Sequence, residues 1–330
     1  MAVTDSRGGF GHEQQGMSMR TTPRVVCTGV VTIDALALVD RYPAADERVV
    51  GEQISIVGGG PAANAAVVLA RQGVSVAFVG RVGAGAEEEH ALQTLEAEGI
   101  DTSGVLRDPS VPTQASCVVV SKGNQARAIS TLDVPPLPEF TSTAQELIAE
   151  AEWVHADHLG YAPTAALLRR LDRRPLFSLD AGNPIAGLDV SPLDLYVPTV
   201  QSLTARYGAH LTQADDAARK ALDEGAGAVV ATDGAAGSTA WWSAAGGDLA
   251  GAADAGRAHV GSATGVEITS TLGAGDVFHG ALVSALCRDL SWAHALRAAN
   301  ATAALSCRAL DGRSAVPDLD ELEMFLASGD

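Results

Sequence analysis

Gly273, Ala274, Gly275 and Asp276 set three positions without bulk directly before a carboxylate and an apolar, helix-like run, VFHGAL. Small residues let a ligand approach the main chain. At a helix N-terminus the first N–H groups lack partners, and the macrodipole favours anions. An acid beside them can take the proton of an attacking hydroxyl while the amides stabilise charge on a moving phosphoryl group. The stretch suits phosphoryl transfer, with Asp276 as base and residues 273–275 as anion hole. A helix entry built for stability alone has the same composition, so these four residues do not decide the matter.

Two other stretches carry similar chemistry. In IVGGGPAANAAVVLA, Gly58, Gly59 and Gly60 make a tight turn before a helix opened by Pro61, and Asn64 offers both a donor and an acceptor. In VVATDGAAGSTAWW, Thr232, Gly234 and Gly237 follow an apolar strand and can close over phosphates. Each also reads as an ordinary joint or surface turn. The chain has no GxxxxGK[ST], which excludes a P-loop. It also lacks a strand–GxGxxG–helix unit followed by an acid about twenty residues on, which counts against a dinucleotide site.

The elements that must position these residues follow an α/β rhythm. Val25 to Val31 reads as a buried strand, with Asp34 just past its end. A small β excursion follows, then a helix from Pro61 to the stop at Gly73, a strand, and a helix ended by Gly99. Residues 115–131 read as a hairpin turned at Lys122-Gly123-Asn124, pairing with the excursion in a separate small sheet. Alternating helices and strands resume after PPLPEF. WWSAAGGDLAGAADAG reads as an exposed hairpin or loop, and helices are expected near 274–288, 292–308 and 318–327. This order predicts a mainly parallel sheet covered by helices.

Composition bounds the function. The 330 residues suit one large α/β domain, and the mean hydropathy of +0.13 allows a sizeable core. A net charge of −18 disfavours nucleic acid and anionic membranes as partners. Cys27, Cys117, Cys287 and Cys307 form no CxxC pair or zinc-like spacing and read as four buried small side chains in a reduced cytoplasm. No apolar run reaches the roughly 18 residues of a membrane span. Residues 1–22 are polar and Gly-rich and read as a disordered tail, with Met17 or Met19 as alternative starts.

Together, GGGPAAN with AAVVLARQGVSVAFVGRVG, and TLGAGDVFHGAL some 200 residues later, resemble the two signatures of the ribokinase-like (PfkB-type) carbohydrate kinases. The resemblance runs from about residue 24 to 327. It implies a three-layer α/β/α fold with a mainly parallel central sheet, in a kinase domain spanning 23–330. It further implies a small β-sheet lid from about 38–57 and 113–132 that closes over the sugar and dimerises. By position, Asp276 matches the catalytic base, and Gly273, Ala274 and Gly275 the anion hole. Asp34, Gly59, Gly60 and Asn64 match positions that bind substrate hydroxyls. Thr232, Gly234 and Gly237 match the ATP-phosphate loop, and Asn300 a residue beside the adenine. Arg48, in the expected lid, is a candidate for an anionic group on the substrate. ATP and Mg²⁺ are the implied cofactors, and a sugar and a second copy of the chain the implied partners.

The chain departs from this pattern at three places. Ser270 stands where the family has an Asp that helps bind a monovalent cation, and Leu272 fills a slot usually small or Thr. Thr199 and Ser202 stand where the family has Asn-x-x-Glu, which organises Mg²⁺. VGAGAEEEH lacks the acid that usually follows VG. Asp180, Asn183 and Asp233 are candidate replacements. The expected function is an ATP-dependent sugar kinase. A catalytically weak sugar or nucleotide sensor and a nucleoside kinase stand as alternatives.

Overall fold

The computed structural model describes residues 23–123, 126–208 and 210–328. The expected tail at 1–22 and Asn124 of the expected turn lie outside these residues. The chain opens with β1 (Val25–Gly29), then β2 (Thr32–Val39), β3 (Gly51–Gly59) and helix α1 (Pro61–Arg71). β4 (Val76–Val82), α2 (Ala86–Glu96) and the short β5 (Leu106–Arg107) follow. β6 (Gln114–Ser121) and β7 (Ala126–Thr131) precede α3 (Ser142–Glu150), β8 (Trp153–Ala156), α4 (Tyr161–Leu168) and β9 (Leu176–Ala181). Next come β10 (Leu195–Pro198), α5 (Val200–Arg206), α6 (Ala214–Asp223), β11 (Ala228–Thr232) and β12 (Ser238–Trp242). The chain finishes with α7 (Ala244–Gly247), β13 (Gly256–Val260), α8 (Ala274–Cys287), α9 (Trp292–Ser306) and α10 (Leu319–Ala327).

The main sheet runs β13-β12-β11-β10-β9-β8-β1-β4-β5, parallel from β5 to β11 and antiparallel at β12 and β13. Strand alternation sends Val25 and Cys27 to a core shared with α1, α8 and α9, and Val26 to one shared with α3, α4 and α6. This is the expected three-layer α/β/α architecture. The order reverses at β1, since β4 lies on one side and β8 on the other. In open α/β sheets the crevice at such a reversal, beyond the strands' carboxyl ends, is where ligands bind. The WW segment does not stand free as a loop. Its hairpin extends the main sheet, with Trp242 stacked on Trp292 at 5.4 Å.

The separate sheet has the order β3-β2-β6-β7. It starts earlier than the sequence suggests, at Thr32, so Asp34 belongs to this sheet and not to the end of β1. The chain turns because Asp157 captures the Val30 N–H at 2.7 Å, while a Cβ at position 29 would overlap that carboxyl. Period-two alternation puts Asp34, Leu36 and Leu38 on the inner face. There Leu36, Leu38, Val118 and Val120 pack with Leu310 and Leu272. The same alternation turns Cys117 outward. It is exposed, unlike Cys27, Cys287 and Cys307, so only three of the four cysteines are buried as expected.

One close crossing joins the two signature helices. A Cβ at Gly280 of α8 would stand 2.6 Å from the Ala65 carbonyl and 2.9 Å from Val68 Cβ, both on α1. Gly280→Val would overpack backbone against backbone and cost at least about 2 kcal/mol. We expect a lower urea midpoint together with weakened ligand binding, because the displaced α1 carries Asn64 away from α8. An unchanged midpoint would contradict the tight crossing.

Candidate active site

Helix α8 begins at the crevice. Its N-cap Gly273 has φ 76°, a left-handed conformation that favours glycine, and a Cβ there would press on Gly312 Cα at 2.7 Å. Val277 N–H makes the first bond of the helix, to Gly273 O at 2.9 Å, and Ala274 N–H reaches Thr271 O at 3.3 Å. The N–H groups of Gly275 and Asp276 remain at the open helix end. A Cβ at Gly275 would meet nothing within 4 Å, so the chain is open on that side of the helix entry.

Asp276 sits in the first turn, and α1 brings Asn64 to it. Asn64 Nδ2 donates to Asp276 Oδ2 at 2.8 Å, across 212 residues of sequence. Pro61 at the first helical position and Gly60, at φ 100° where a Cβ would overlap the Val30 carbonyl, aim α1 at this point. The two signatures are therefore one site. Burial pushes the pKa of Asp276 up to about 7; the charge of Asp180 pushes the same way, and the Asn64 bond opposes it. Such a carboxylate is poised to accept a proton near neutrality.

Asp34 faces the same cleft from β2. Burial raises its pKa, while Thr32, Ser116 and Arg313 pull it back. Its Oδ1 is buried with no partner among the described residues. Unmet buried acceptors carry a cost that a ligand hydroxyl can remove. Gly59 keeps room for the Asp34 carboxylate, which a Cβ at 59 would overlap.

The loop after β11 forms the neighbouring wall. Asp233 N–H bonds Gly237 O at 2.8 Å, and Gly234 and Gly237 have φ 51° and 91°. Thr232 is half-buried at the end of β11. Asn300 supports this wall from α9. Its Oδ1 accepts from Ser238 Oγ at 3.0 Å, and Nδ2 donates to the Val260 and Gly261 carbonyls, each at 3.0 Å. Both amide hydrogens are thus spent on the protein, so Asn300 shapes the loop rather than offering a donor to the cleft. Arg48 is exposed in the β2–β3 loop, without an ion pair to any described residue, and the fold does not bring it to this cluster.

The departures have local roles. Ser270 Oγ accepts the Leu272 N–H at 3.1 Å, Leu272 packs beneath the small sheet, and Thr271 Oγ1 accepts from Arg127 of β7 at 2.7 Å. Thr199 caps α5 through the Ser202 N–H at 3.0 Å and bonds its hydroxyl at 2.9 Å. Among the described residues no group of three or more His, Cys, Asp or Glu side chains is arranged to hold a metal. Asp180 is buried at the end of β9, accepts the Gly182 N–H at 2.8 Å, and has its pKa pushed up to about 7 by burial. Asn183 contacts His158, and Asp233 is exposed. His279 lies 3.7 Å from Asp180, but burial lowers its pKa to about 3, so the contact is not an ion pair at neutral pH.

Two residues carry more of this site than sequence reasoning foresaw. Asp157, fully buried past β8, accepts the N–H groups of Val30, Leu159, Gly160 and, at 3.4 Å, Ala62. Its only signal was an acid directly after a buried strand. Arg313 reaches Asn64 and Gly59 from the C-terminal loop.

The raised pKa of Asp276 has a thermodynamic consequence. Between its ordinary value of 3.8 and about 7 the native state holds a proton that the unfolded chain has released, so stability falls as pH rises through this window. Asp276→Asn removes that titration and the repulsion with Asp180. Thermal melts from pH 5 to pH 8 should show the variant gaining on the wild type as pH rises. Parallel pH dependences would refute the raised value.

The pfkB family carbohydrate kinase pattern matches residues 22–170 and 191–319. Ribokinase from Haemophilus influenzae is 25% identical over 329 residues, covering 93% of this chain and 99% of that protein. Mouse ketohexokinase is 24% identical over 301 residues, covering 83% and 92%. Among solved structures, Arabidopsis thaliana ribokinase complexed with ribose and ATP superposes with a TM-score of 0.76 at 20% identity, covering 93% and 99%. A nucleoside kinase of Methanocaldococcus jannaschii gives 0.72 at 16% identity, covering 92% and 98%. With its fold, its paired signature helices and a pattern match over most of its length, the chain belongs to the pfkB family of carbohydrate kinases.

Proposed function

We propose that the protein is an ATP-dependent sugar kinase that transfers the γ-phosphate to a substrate hydroxyl. The observation that carries this reading is the Asn64–Asp276 bond of 2.8 Å at the mouth of α8, beside the open amides of Gly275 and Asp276. The acceptor sugar lies between Asp34, Gly59, Gly60 and Asn64, with its reacting hydroxyl at Asp276. Asp276 takes the proton as the oxygen attacks phosphorus in line, and the 273–275 backbone stabilises charge on the transferred group. The 232–237 loop lies over the remaining phosphates. The Arabidopsis relative was solved with ribose and ATP together, which supports a sugar and a nucleotide as the two substrates.

Mg²⁺ demands hard oxygen donors and commonly takes one or two carboxylates plus substrate phosphates. Asp180, a carboxylate close enough to Asp276 to raise its pKa, fits that demand. When bound, the ion would neutralise phosphate charge.

The small sheet acts as the lid in this reading. Its latch is Arg127 on Thr271, and its closure excludes water from the transferred phosphoryl group. The outer face exposes Ile54 at 76% and Ile56 at 67%, which favours a homodimer through the lid.

The test is ADP release with ATP and Mg²⁺ against a panel of sugars, sugar phosphates and nucleosides. We expect one sugar class to turn over, and Asp276→Asn to slow it by about 10²- to 10⁴-fold. A nucleoside as the preferred acceptor would replace the sugar reading. The Thr199–Ser202 hydroxyl pair favours the sensor alternative, which wins if ligands bind but no acceptor is turned over faster than by the variant.

A further inference from the structure

The C-terminal loop between α9 and α10 reaches into the cleft from behind. Arg313 is 9% exposed, and its guanidinium divides among three elements. Nε donates to Asn64 Oδ1 at 2.7 Å on α1, Nη2 to the Gly59 carbonyl at 2.8 Å on β3, and Nη1 to Thr94 Oγ1 at 3.3 Å on α2. The loop itself is braced. Asp311 Oδ1 accepts the N–H groups of Arg313 and Ser314, each at 2.7 Å, and Arg71 Nη1 donates to the Arg313 and Val316 carbonyls. Gly312 packs against the helix entry, where a Cβ would stand 3.0 Å from Gly273 Cα and 3.2 Å from Asn64 Nδ2.

These bonds settle the orientation of Asn64. Its oxygen faces Arg313, so its amino group must face the cleft, where one hydrogen goes to Asp276 and the other is left for a ligand. With the amide flipped, two donors would face each other at Arg313, and Asp276 would meet an oxygen. The planar fork also fixes Gly59 relative to Asn64, which a single ammonium cannot do.

We propose that Arg313 is the positioning residue of the acceptor site: it orients Asn64 toward Asp276, pins the Gly59 backbone, and supplies the positive charge that offsets Asp34. This rests on the sugar-kinase reading. The charged groups around the guanidinium are Asp34 on β2, Asp276 on α8, Asp311 in the same loop and Glu98 after α2. Those around Asp276 are Asp180, Asp157 and Asp34. Geometry and charge can be separated. Arg313→Lys keeps a cation but loses the fork, whereas Arg313→Met loses both.

The experiment measures steady-state rates from pH 5.5 to 9, using the acceptor with the highest turnover in the panel. For Arg313→Lys we expect the acceptor KM to rise at least 10-fold, with the ATP KM within about threefold of wild type. For Arg313→Met we expect the same rise, and an acid limb displaced to higher pH than in Arg313→Lys. A cavity of about 210 Å³ lined by Arg71, Thr94, Asp311 and Arg313 opens beside the guanidinium. Added ethylguanidinium should therefore restore acceptor affinity to Arg313→Ala in part. An acceptor KM within twofold of wild type in Arg313→Lys and Arg313→Met would overturn the proposal, as would equal rises in both KM values. If Arg313→Met and Arg313→Ala do not fold, the Lys variant alone decides by its KM split. If the wild type turns over no acceptor, the kinase reading fails separately. Calorimetric affinities for D-ribose and D-fructose in wild type and Arg313→Lys then decide the role of Arg313, and equal affinities or an absence of binding to the wild type overturn it.

Discussion

The site depends on how closely α1 and α8 approach. Helix axes usually stay 8–10 Å apart because side chains separate them. Here Gly280 removes the separating side chain and sets the α8 backbone against Ala65 of α1. Both helices start at the same end of the sheet, so the approach carries the Asn64 amide onto the Asp276 carboxylate. Each helix is entered through a glycine at positive φ, Gly60 or Gly273, which lets the chain turn sharply without a Cβ in the way. The Asp276 carboxylate is thus held by a scaffold contact rather than by a flexible loop.

Buried charge tunes what this scaffold holds. Burial raises the pKa values of Asp276 and Asp180 to about 7; the charge of Asp180 adds to the shift of Asp276, and that of Asp157 adds to both. Asp157 is also buried, but it accepts several backbone N–H groups and serves to fasten the start of β2, α1 and α4 to the sheet. Arg313 is the counterweight, surrounded by Asp34, Asp311 and Asp276. The positions that depart from the family pattern follow the same logic of local satisfaction. Ser270 and Thr199 each cap a backbone N–H, and Leu272 and Thr271 tie the small sheet down by packing and by one hydrogen bond to Arg127. Hydroxyls at these positions hold the scaffold together.

Local signals made much of this legible. Pro61 and Gly60 marked the start of α1, glycine ended it, and apolar runs gave the buried strands of the main sheet. The GAGD and GGGPAAN stretches marked the N-terminal ends of α8 and α1, because small residues and a proline at a helix entry leave a local trace wherever they lie in a chain. Residues with no such local requirement were misplaced or missed. Asp34 looked like the end of β1, since nothing near it records that Asp157, 123 positions later, diverts the chain. Nothing near Asn300 records that Ser238, Val260 and Gly261 engage its amide. Cys117 looked buried by type, and strand alternation exposed it.

The sequence by itself determined the order of elements and a mainly parallel sheet covered by helices, because these follow from periodicity, chain stiffness and residue size; the three-layer class came from the resemblance carried by the two signatures. Only the tertiary structure decided that Asn64 binds Asp276, that Arg313 orients Asn64 and that the Thr199 hydroxyl caps α5. Hydrogen bonds and pKa shifts depend on distance and burial. Both are set by which segments the sheet and the Gly280 crossing bring together, and residues 64, 276 and 313 carry no local trace of that meeting.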